Sequence, residues 1–451
     1  MKQQSNPRHT EDLHNLLGTE QPGVEEQLRR ILHELHPADI GDVLEAIPPE
    51  QRRRVCAHLD PELMGQVLVE VPETLRADLV QWLQDDALIV ATRALDPDDI
   101  ADLLPLLSDE VVSRILFAMD LQERQRLDTL LAYPEDTAGG LMNVDTTTVR
   151  DDVSLEVVLR YLRRLGELPP DTNELFVSDR SGQLAGTLQV AKLLTLEPEQ
   201  RVSDVMEHEP IKFDVLTPDK EVAAAFERYN LITAPVVDDA NRVLGRITVD
   251  DVVDVIREEA DHSVLAPAGL REDEDLFAPV ARSTRNRAVW LGVNLATALL
   301  ASWVIGQFEA TIEKIVALAV LMPIVASMGG NAGTQTVTLV IRGLALGTIT
   351  DSNMRRVLIN ELLISVLNSF IWALVVGVIA VAWYQMPMLG VVIAMAMMMN
   401  LVVAALSGVL IPIAVRKLGI DPALASGVAL TTVTDVVGFL SFLGLAALLL
   451  L

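Results

Sequence analysis

The chain has 451 residues, half of them apolar, with a formal charge of −28 and a single cysteine, Cys56. So acidic a surface excludes nucleic acid as a partner and favours cations. One cysteine excludes an intramolecular disulfide and suits a reducing compartment.

The charge is unevenly spread. Residues 1–275 hold 57 acids and 26 bases, a balance of −31, whereas the remainder holds six acids and nine bases, a balance of +3. An acidic soluble half is therefore joined to an apolar membrane half. The first residues, MKQQSNPRHTEDLH, contain no apolar core. No cleavable signal peptide is expected, and residues 1–275 are expected to stay in the cytosol. Residues 1–22 are polar and are expected to be disordered.

Residues 23–136 show apolar residues at three- and four-residue steps, the pattern of short helices. The elements are punctuated by His36-Pro37, Asp60-Pro61 and Asp96-Pro97. Two similar runs follow such dipeptides, ADIGDVLEAIP and DDIADLLPLLS. Acid before proline at a helix start predicts a side-chain cap. Repeated helix pairs predict a small α-solenoid.

Residues 137–256 change character and contain two loosely similar halves. Each has a methionine, a short extended run, a helix, a β-hairpin with Asp, Gly or Asn at its turn, and a further helix. The second half contains Gly245-Arg246-Ile247-Thr248-Val249-Asp250-Asp251. This resembles the G-x-h-T-x-x-D segment of tandem cystathionine-β-synthase-type (CBS) domains. The resemblance implies an adenine-nucleotide site in which Thr248 and Asp251 contact the ribose. The first half has Gly186-Thr187-Leu188-Gln189-Val190-Ala191-Lys192 and lacks the acid, so at most one such site is supported.

Residues 257–285 read as a connecting, or plug, helix and linker. The helix begins in the acidic run DVVDVIREEADHS, and the linker is LAPAGLREDEDLFAP. Residues 286–451 then read as five hydrophobic spans, at about 288–308, 315–341, 357–383, 389–415 and 422–451. Arg282, Arg285, Arg287, Arg342, Arg355, Arg356, Arg416 and Lys417 fall on one side if the N-terminus is cytosolic, and only Lys314 falls opposite. Basic residues stay inside, so the C-terminus is expected outside.

Two stretches of the spans carry chemistry. The second span holds Pro323 and then Met328-Gly329-Gly330-Asn331-Ala332-Gly333-Thr334-Gln335. Three glycines and three polar side chains predict a broken helix lining a cavity. Asn400 on the fourth span is a weaker candidate, equally readable as an interhelical hydrogen bond. The fifth span holds one ionised residue, Asp435, at its middle. A carboxylate there costs about 2.5–3.5 kcal/mol, so intramembrane acids default to function. Helical spacing puts Gly427, Thr431 and Gly438 on the face of Asp435, a stripe that water or a cation can line.

Helical repeats, a CBS pair, a connecting helix, five spans, GGNAGTQ and TTVTDVVGF stand in this order. Over its whole length the chain resembles the MgtE family of bacterial magnesium channels. The fold class this implies is a multi-domain integral membrane protein. It combines an α-solenoid, an α/β tandem CBS domain and an all-α five-helix transmembrane domain. The resemblance further implies a homodimer in the bacterial inner membrane, with a pore at the dimer axis lined by the second and fifth spans. The pore acid maps onto Asp435, with Gly329, Gly330 and Asn331 offering further oxygen acceptors. It also implies that cytosolic Mg²⁺ closes the pore by bridging acids of the soluble half. The candidates are Asp96, Asp98, Asp99, Asp250, Asp251, Asp254, Glu258 and Glu259. Mg²⁺ is small, octahedral and slow to shed water, so carboxylates from two chains can hold the hydrated ion.

Two other readings remain. One is an ion-coupled secondary transporter of divalent cations, Mg²⁺, Co²⁺ or Mn²⁺, with Asp435 as a proton carrier. The other is a magnesium-sensing scaffold, which leaves Asp435 and GGNAGTQ without purpose. The spans and their loops show no His/Cys cluster, nucleophile elbow or phosphate loop, so an enzyme is not expected.

Overall fold

The computed structural model describes residues 13, 16, 17 and 24–451, apart from 94, 171, 272–274 and 351. Nearly all of the N-terminal stretch expected to be disordered lies outside the described residues. The chain divides into two compact units, residues 1–260 with 273–278, and residues 261–272 with 279–451.

The first unit begins with nine α-helices among the described residues. These are α1 (Val24–Glu34), α2 (Pro37–Glu45), α3 (Pro49–Cys56), α4 (Pro61–Glu70), α5 (Glu73–Trp82), α6 (Asp85–Thr92), α7 (Pro97–Leu103), α8 (Asp109–Ala118) and α9 (Leu121–Leu130). Proline opens α2, α3, α4 and α7 because its fixed φ and missing N–H suit the first helical position. The expected acid caps do not form. Asp60 and Asp96 make no side-chain cap, and Asp60 pairs with Arg29 (3.5 Å) and His33 (3.4 Å) instead. Two nearby bases offer a carboxylate more than one helix amide does. Side-chain caps are His36 on α2, accepting from Ala38 N (3.3 Å), Ser108 on α8 and the capping box of Asp120 and Glu123 on α9. Leu28, Leu32, Leu44, Leu68 and Leu79 fill a continuous core.

Asp275, on the strand of linker assigned to this unit, reaches into that core. Its carboxylate accepts from the guanidinium of Arg52, which is 1% exposed. Arg52 also donates to the Leu44 carbonyl (2.7 Å), and the Phe277 ring lies 5.8 Å from it.

The CBS pair has two sheets. One is β1 (Thr148–Arg150), β2 (Glu174–Ser178), β3 (Leu184–Gln189) and β4 (Glu207–His208); the other is β5 (Phe213–Asp214), β6 (Thr233–Val237) and β7 (Val243–Thr248). Each half contributes a parallel pair and an antiparallel hairpin. The hairpin turns repeat: Asp179 caps Ser181 and Gln183, and Asp238 caps Ala240 and Arg242. Each turn has a left-handed residue at the same offset, Gly182 and Asn241.

The halves also exchange their leading segments. Asn143 pairs with Arg246 of β7, while β4 pairs with β3. This requires glycine on each receiving strand. A Cβ at Gly245 would lie 2.8 Å from the Met142 sulfur, and one at Gly186 would lie 2.4 Å from the Glu207 carbonyl.

A single helix, Val249–Leu265, leaves β7, so the connecting helix starts eight residues before the expected 257. In the second unit its last turn and the 3₁₀ turn Ala266–Ala268 meet the spans. The five spans are Val280–Gly306, Ala317–Ala345, Met354–Tyr384, Pro387–Lys417 and Pro422–Leu449, each long and apolar enough to cross a membrane. The first begins eight residues before the expected 288. The expected break in the second span is absent, since Ala317–Ala345 is one continuous helix. Its glycines serve close packing instead. Cβ atoms at Gly329 and Gly333 would collide with Asn400 (2.2 Å) and Leu430 (2.7 Å) of neighbouring helices. Pro323 lies inside the helix, beyond its first turn, and removes one backbone hydrogen bond there. The fourth span is the most enclosed, with Leu389, Ile393, Met397 and Leu401 in the bundle core.

Candidate functional site

Asp435 is half-buried, and makes no ion pair among the described residues. Along its helix, Thr431 is exposed and donates its hydroxyl to the Gly427 carbonyl (3.2 Å) and the Val428 carbonyl (3.1 Å). That leaves the hydroxyl oxygen free to accept from water. Gly427 sits 3.8 Å, measured from a built Cβ, from the Pro267 carbonyl of the 3₁₀ turn. Gly438 turns inward, against Asn400 (2.8 Å). The stripe expected on one face is thus split: Gly427, Thr431 and Asp435 remain accessible, while Gly438 serves packing.

The second span divides in the same way. Gly329 is buried against Asn400, whereas Gly330 is half-buried and Asn331, Thr334 and Gln335 are exposed on the protomer. Asn331 lies 3.4 Å from the Ser327 hydroxyl, and Thr334 donates to Gly330 O (2.9 Å). Because Gly329 and Gly438 abut the same Asn400 side chain, the glycine-rich turn and the turn carrying Asp435 lie at one level. Thr336 donates to the Glu361 carboxylate of the third span (3.0 Å) and packs on Gly408 of the fourth. Nothing in the sequence marked Glu361 for this tie.

Beneath the spans, His262 and the Asp421 carboxylate lie 2.7 Å apart. Asp421 also caps the fifth span by accepting from Ala423 N (2.9 Å). Gly269, at φ +72°, lies against the Trp290 ring of the first span. The end of the connecting helix therefore rests on the foot of the fifth span, within the second unit.

In the first unit the acids of α7 face those at the start of the connecting helix. Burial and the neighbouring charges of Asp99 and Asp251 push Asp98 up to about 8. Asp99 rises to about 7 through burial and the charges of Asp96, Asp102 and Asp251. Asp251 rises to about 6 through burial, opposed by a 2.8 Å hydrogen bond from the Thr248 hydroxyl. Asp96 and Asp254 also lie above the usual range, mainly from burial.

Of the eight expected bridging acids, Asp96, Asp98, Asp99 and Asp251 are thus gathered, with Asp254 beside them. Asp250 is exposed, and its charge raises Asp251 and Asp254. Glu258 is exposed, one turn beyond Asp254. Glu259 pairs with Lys220, a base that the helix's own sequence could not reveal. Asp102, raised to about 6 by burial, and Asn143, which donates to Asp98 (3.2 Å), were missed. Asp102 could have been found at i+4 from Asp98. Asn143 belongs to another domain and could not.

The residues fit a cation: Asp98 and Asp99 are buried among carboxylates whose charges raise both, which favours an ion between them, while Arg246 and Arg76 lower the neighbouring Asp96 and Asp102. Among the described residues, no three His, Cys, Asp or Glu are gathered tightly enough to ligate one bare ion. Thr248 and Asp251, expected at a nucleotide, bond each other where β7 meets the connecting helix. Arg246 beside them donates to Pro170 O (2.6 Å), with its Nε buried and unpaired.

Fold and site together define a multi-pass membrane transport protein bearing a helical domain and a CBS pair on its soluble side. A family profile described as divalent cation transporter matches residues 322–445, and the profile of the MgtE intracellular N domain matches 35–136. A CBS profile matches 202–258. The chain is 31% identical to the magnesium transporter MgtE of Thermus thermophilus, over 95% of this chain and 96% of that one. It is 32% identical to the magnesium transporter MgtE of Bacillus subtilis, over 79% of each. A solved cytosolic domain of the Mg²⁺ channel MgtE in complex with ATP shares 30% identity and aligns at a TM-score of 0.48, covering 55% of this chain and 99% of that chain. The chain belongs to the MgtE family of magnesium transporters.

Proposed function

We propose that the protein is a homodimeric Mg²⁺-selective channel for magnesium uptake, closed by Mg²⁺ on its cytosolic side. Conduction rests on Asp435. A half-buried carboxylate that makes no ion pair among the described residues, on the helix of exposed Thr431 and at the level of the second-span turn that carries exposed Asn331, suits the lining of an axis between two copies. Two such carboxylates repel unless a cation lies between them. Mg²⁺ keeps its inner waters, and Thr431 and Asn331 can accept from them. The same pairing covers polar side chains that lipid would not.

One observation carries the gating: Asp98 and Asp99 of the helical domain stand close enough to Asp251, at the start of the connecting helix, for its charge to raise both. Without cations that arrangement is strained by like charge and opens. Mg²⁺ binds only the gathered acids, so mass action favours the compact form. In this reading bridging runs through the ion's waters, since Mg²⁺ keeps its inner shell. The connecting helix bears Asp251 and Asp254 near one end and His262 near the other, and is the element through which compaction reaches Gly427. In this reading the soluble domains are cytosolic, the C-terminus is outside, and an adenine nucleotide at Thr248 and Asp251 adds to the same equilibrium.

Single-channel recording of the purified protein, with Mg²⁺ graded on the cytosolic side, tests this. Discrete openings that cease as Mg²⁺ rises are expected. The second reading, an ion-coupled carrier of divalent cations, draws support from the Glu361 carboxylate held by Thr336. Turnover without discrete openings, driven by a proton or sodium gradient, would replace the channel with that carrier.

A further inference from the structure

Asn400 stands at the middle of the fourth span, with its side chain wholly enclosed. Its amide nitrogen donates to the Val325 carbonyl of the second span (2.9 Å). A carbonyl accepts only from a donor, so the orientation of the amide is settled. Its Oδ1 is then buried with no hydrogen-bond partner. A Cβ at Gly329 would come within 2.2 Å of the amide, and one at Gly438 within 2.8 Å. Two glycines on two different spans therefore make room for this one side chain.

That arrangement is costly for a purely structural part. A half-satisfied amide in an apolar core is worse than a leucine of similar size. Asn400 is not an ordinary interhelical clamp either, since such a clamp satisfies both its ends. What the position does have is location. Gly438 is three residues beyond Asp435, and Gly329 is two residues before Asn331. The amide thus separates the two backbones that carry the candidate ion contacts, and ties one of them through Val325.

We propose that Asn400 is the positioning residue that sets the spacing of the second and fifth spans at the level of Asp435, and through it the preference among hydrated divalent cations. It touches no ion itself. A shift of the second span towards or away from Asp435 changes the width offered to a hydrated ion. Mg²⁺, Mn²⁺, Co²⁺ and Ca²⁺ differ in how readily they shed or deform their water shell. The inference rests on the pore reading of Asp435.

The test measures uptake of Mg²⁺, Mn²⁺, Co²⁺ and Ca²⁺ into vesicles holding equal amounts of folded full-length protein. Asn400→Leu keeps the bulk and removes the donor. It is expected to lower Mg²⁺ uptake about tenfold, as sub-ångström misplacement of working groups does. The ratio of Mg²⁺ to the other ions should move by about threefold, the weight of one interhelical hydrogen bond. Gly329→Ala should do the same by steric collision, and Asn400→Ala in that background should recover part of the loss.

All four ions falling in parallel for Asn400→Leu, or wild-type rates and ratios, would overturn the proposal. If Asn400→Leu fails to fold, an unaltered ratio in Gly329→Ala refutes it just as well. Asp435→Asn is run beside them. Wild-type uptake in that variant removes the pore reading and this inference together. Loss of uptake there, with normal Asn400→Leu, removes only the inference.

Discussion

Binding of Mg²⁺ to the acids of the soluble half should expel protons near neutral pH. The perturbed groups are Asp98, at about 8, Asp99, at about 7, and Asp251, at about 6. All three lie above the ordinary carboxylate value, so the ion-free compact form holds more protons than the spread form. Its stability is fully present below about pH 4 and is lost as pH rises through 6 to 8. At pH 7 Asp98 holds about 0.9 of a proton, Asp99 about 0.5 and Asp251 about 0.1. A cation requires the ionised forms, so each binding event that starts from the compact form should release about 1.5 protons, and one that starts from the spread form fewer. Apparent affinity should therefore improve roughly thirtyfold per pH unit around neutrality and flatten above pH 8. Acidification should therefore weaken Mg²⁺ binding while protons themselves hold the compact form, so the channel should stay closed at fixed Mg²⁺ as pH falls. The assay is titration calorimetry of the full chain in two buffers of different ionisation heat, in an Asp435→Asn background that silences the spans. Asp98→Asn should cut the release to about 0.6 of a proton. Heats that do not depend on the buffer at pH 7, or an unchanged release in Asp98→Asn, would refute the reasoning.

Removing residues 1–136 takes away Asp96, Asp98 and Asp99 but no span, so vesicle uptake should persist while inhibition by cytosolic Mg²⁺ is lost; unchanged inhibition would put the sensor elsewhere. Neutralising Asp251, Asp254, Glu258 and Glu259 with Asn and Gln should raise the Mg²⁺ needed to close the channel and leave ion selectivity alone. A lower requirement, read as open probability against Mg²⁺, would mean that repulsion alone holds the pore open. Asp275→Ala strands the Arg52 guanidinium, 1% exposed, in the helical core. About 3–5 kcal/mol should be lost, read as a lowered unfolding temperature of the full chain. Most of it should return when Arg52→Met and Asp275→Leu replace the pair together.

Local chemistry was legible in the chain. Proline at the first helical position marked the starts of α2, α4 and α7, and the Asp/Gly and Asp/Asn turns marked both hairpins. Five apolar stretches of sufficient length marked the spans. These signals are short-range: each depends on a residue's own backbone preference or on its cost in lipid. What only the tertiary structure decided is which face each residue turns to which neighbour. From sequence, GGNAGTQ reads as a broken helix. In the fold it is intact, because Gly329 and Gly333 admit Asn400 and Leu430 from other spans. Asp60 and Asp96 read as caps, yet Arg29 and His33, from a different helix, claim Asp60. Glu259 reads as part of an unopposed acidic face until Lys220 arrives from the CBS pair. The meeting of Asp98 with Asp251 joins residues 153 positions apart. No periodicity encodes such a pairing, because it forms only when separate elements bury their apolar faces and bring distant charges into one low-dielectric neighbourhood.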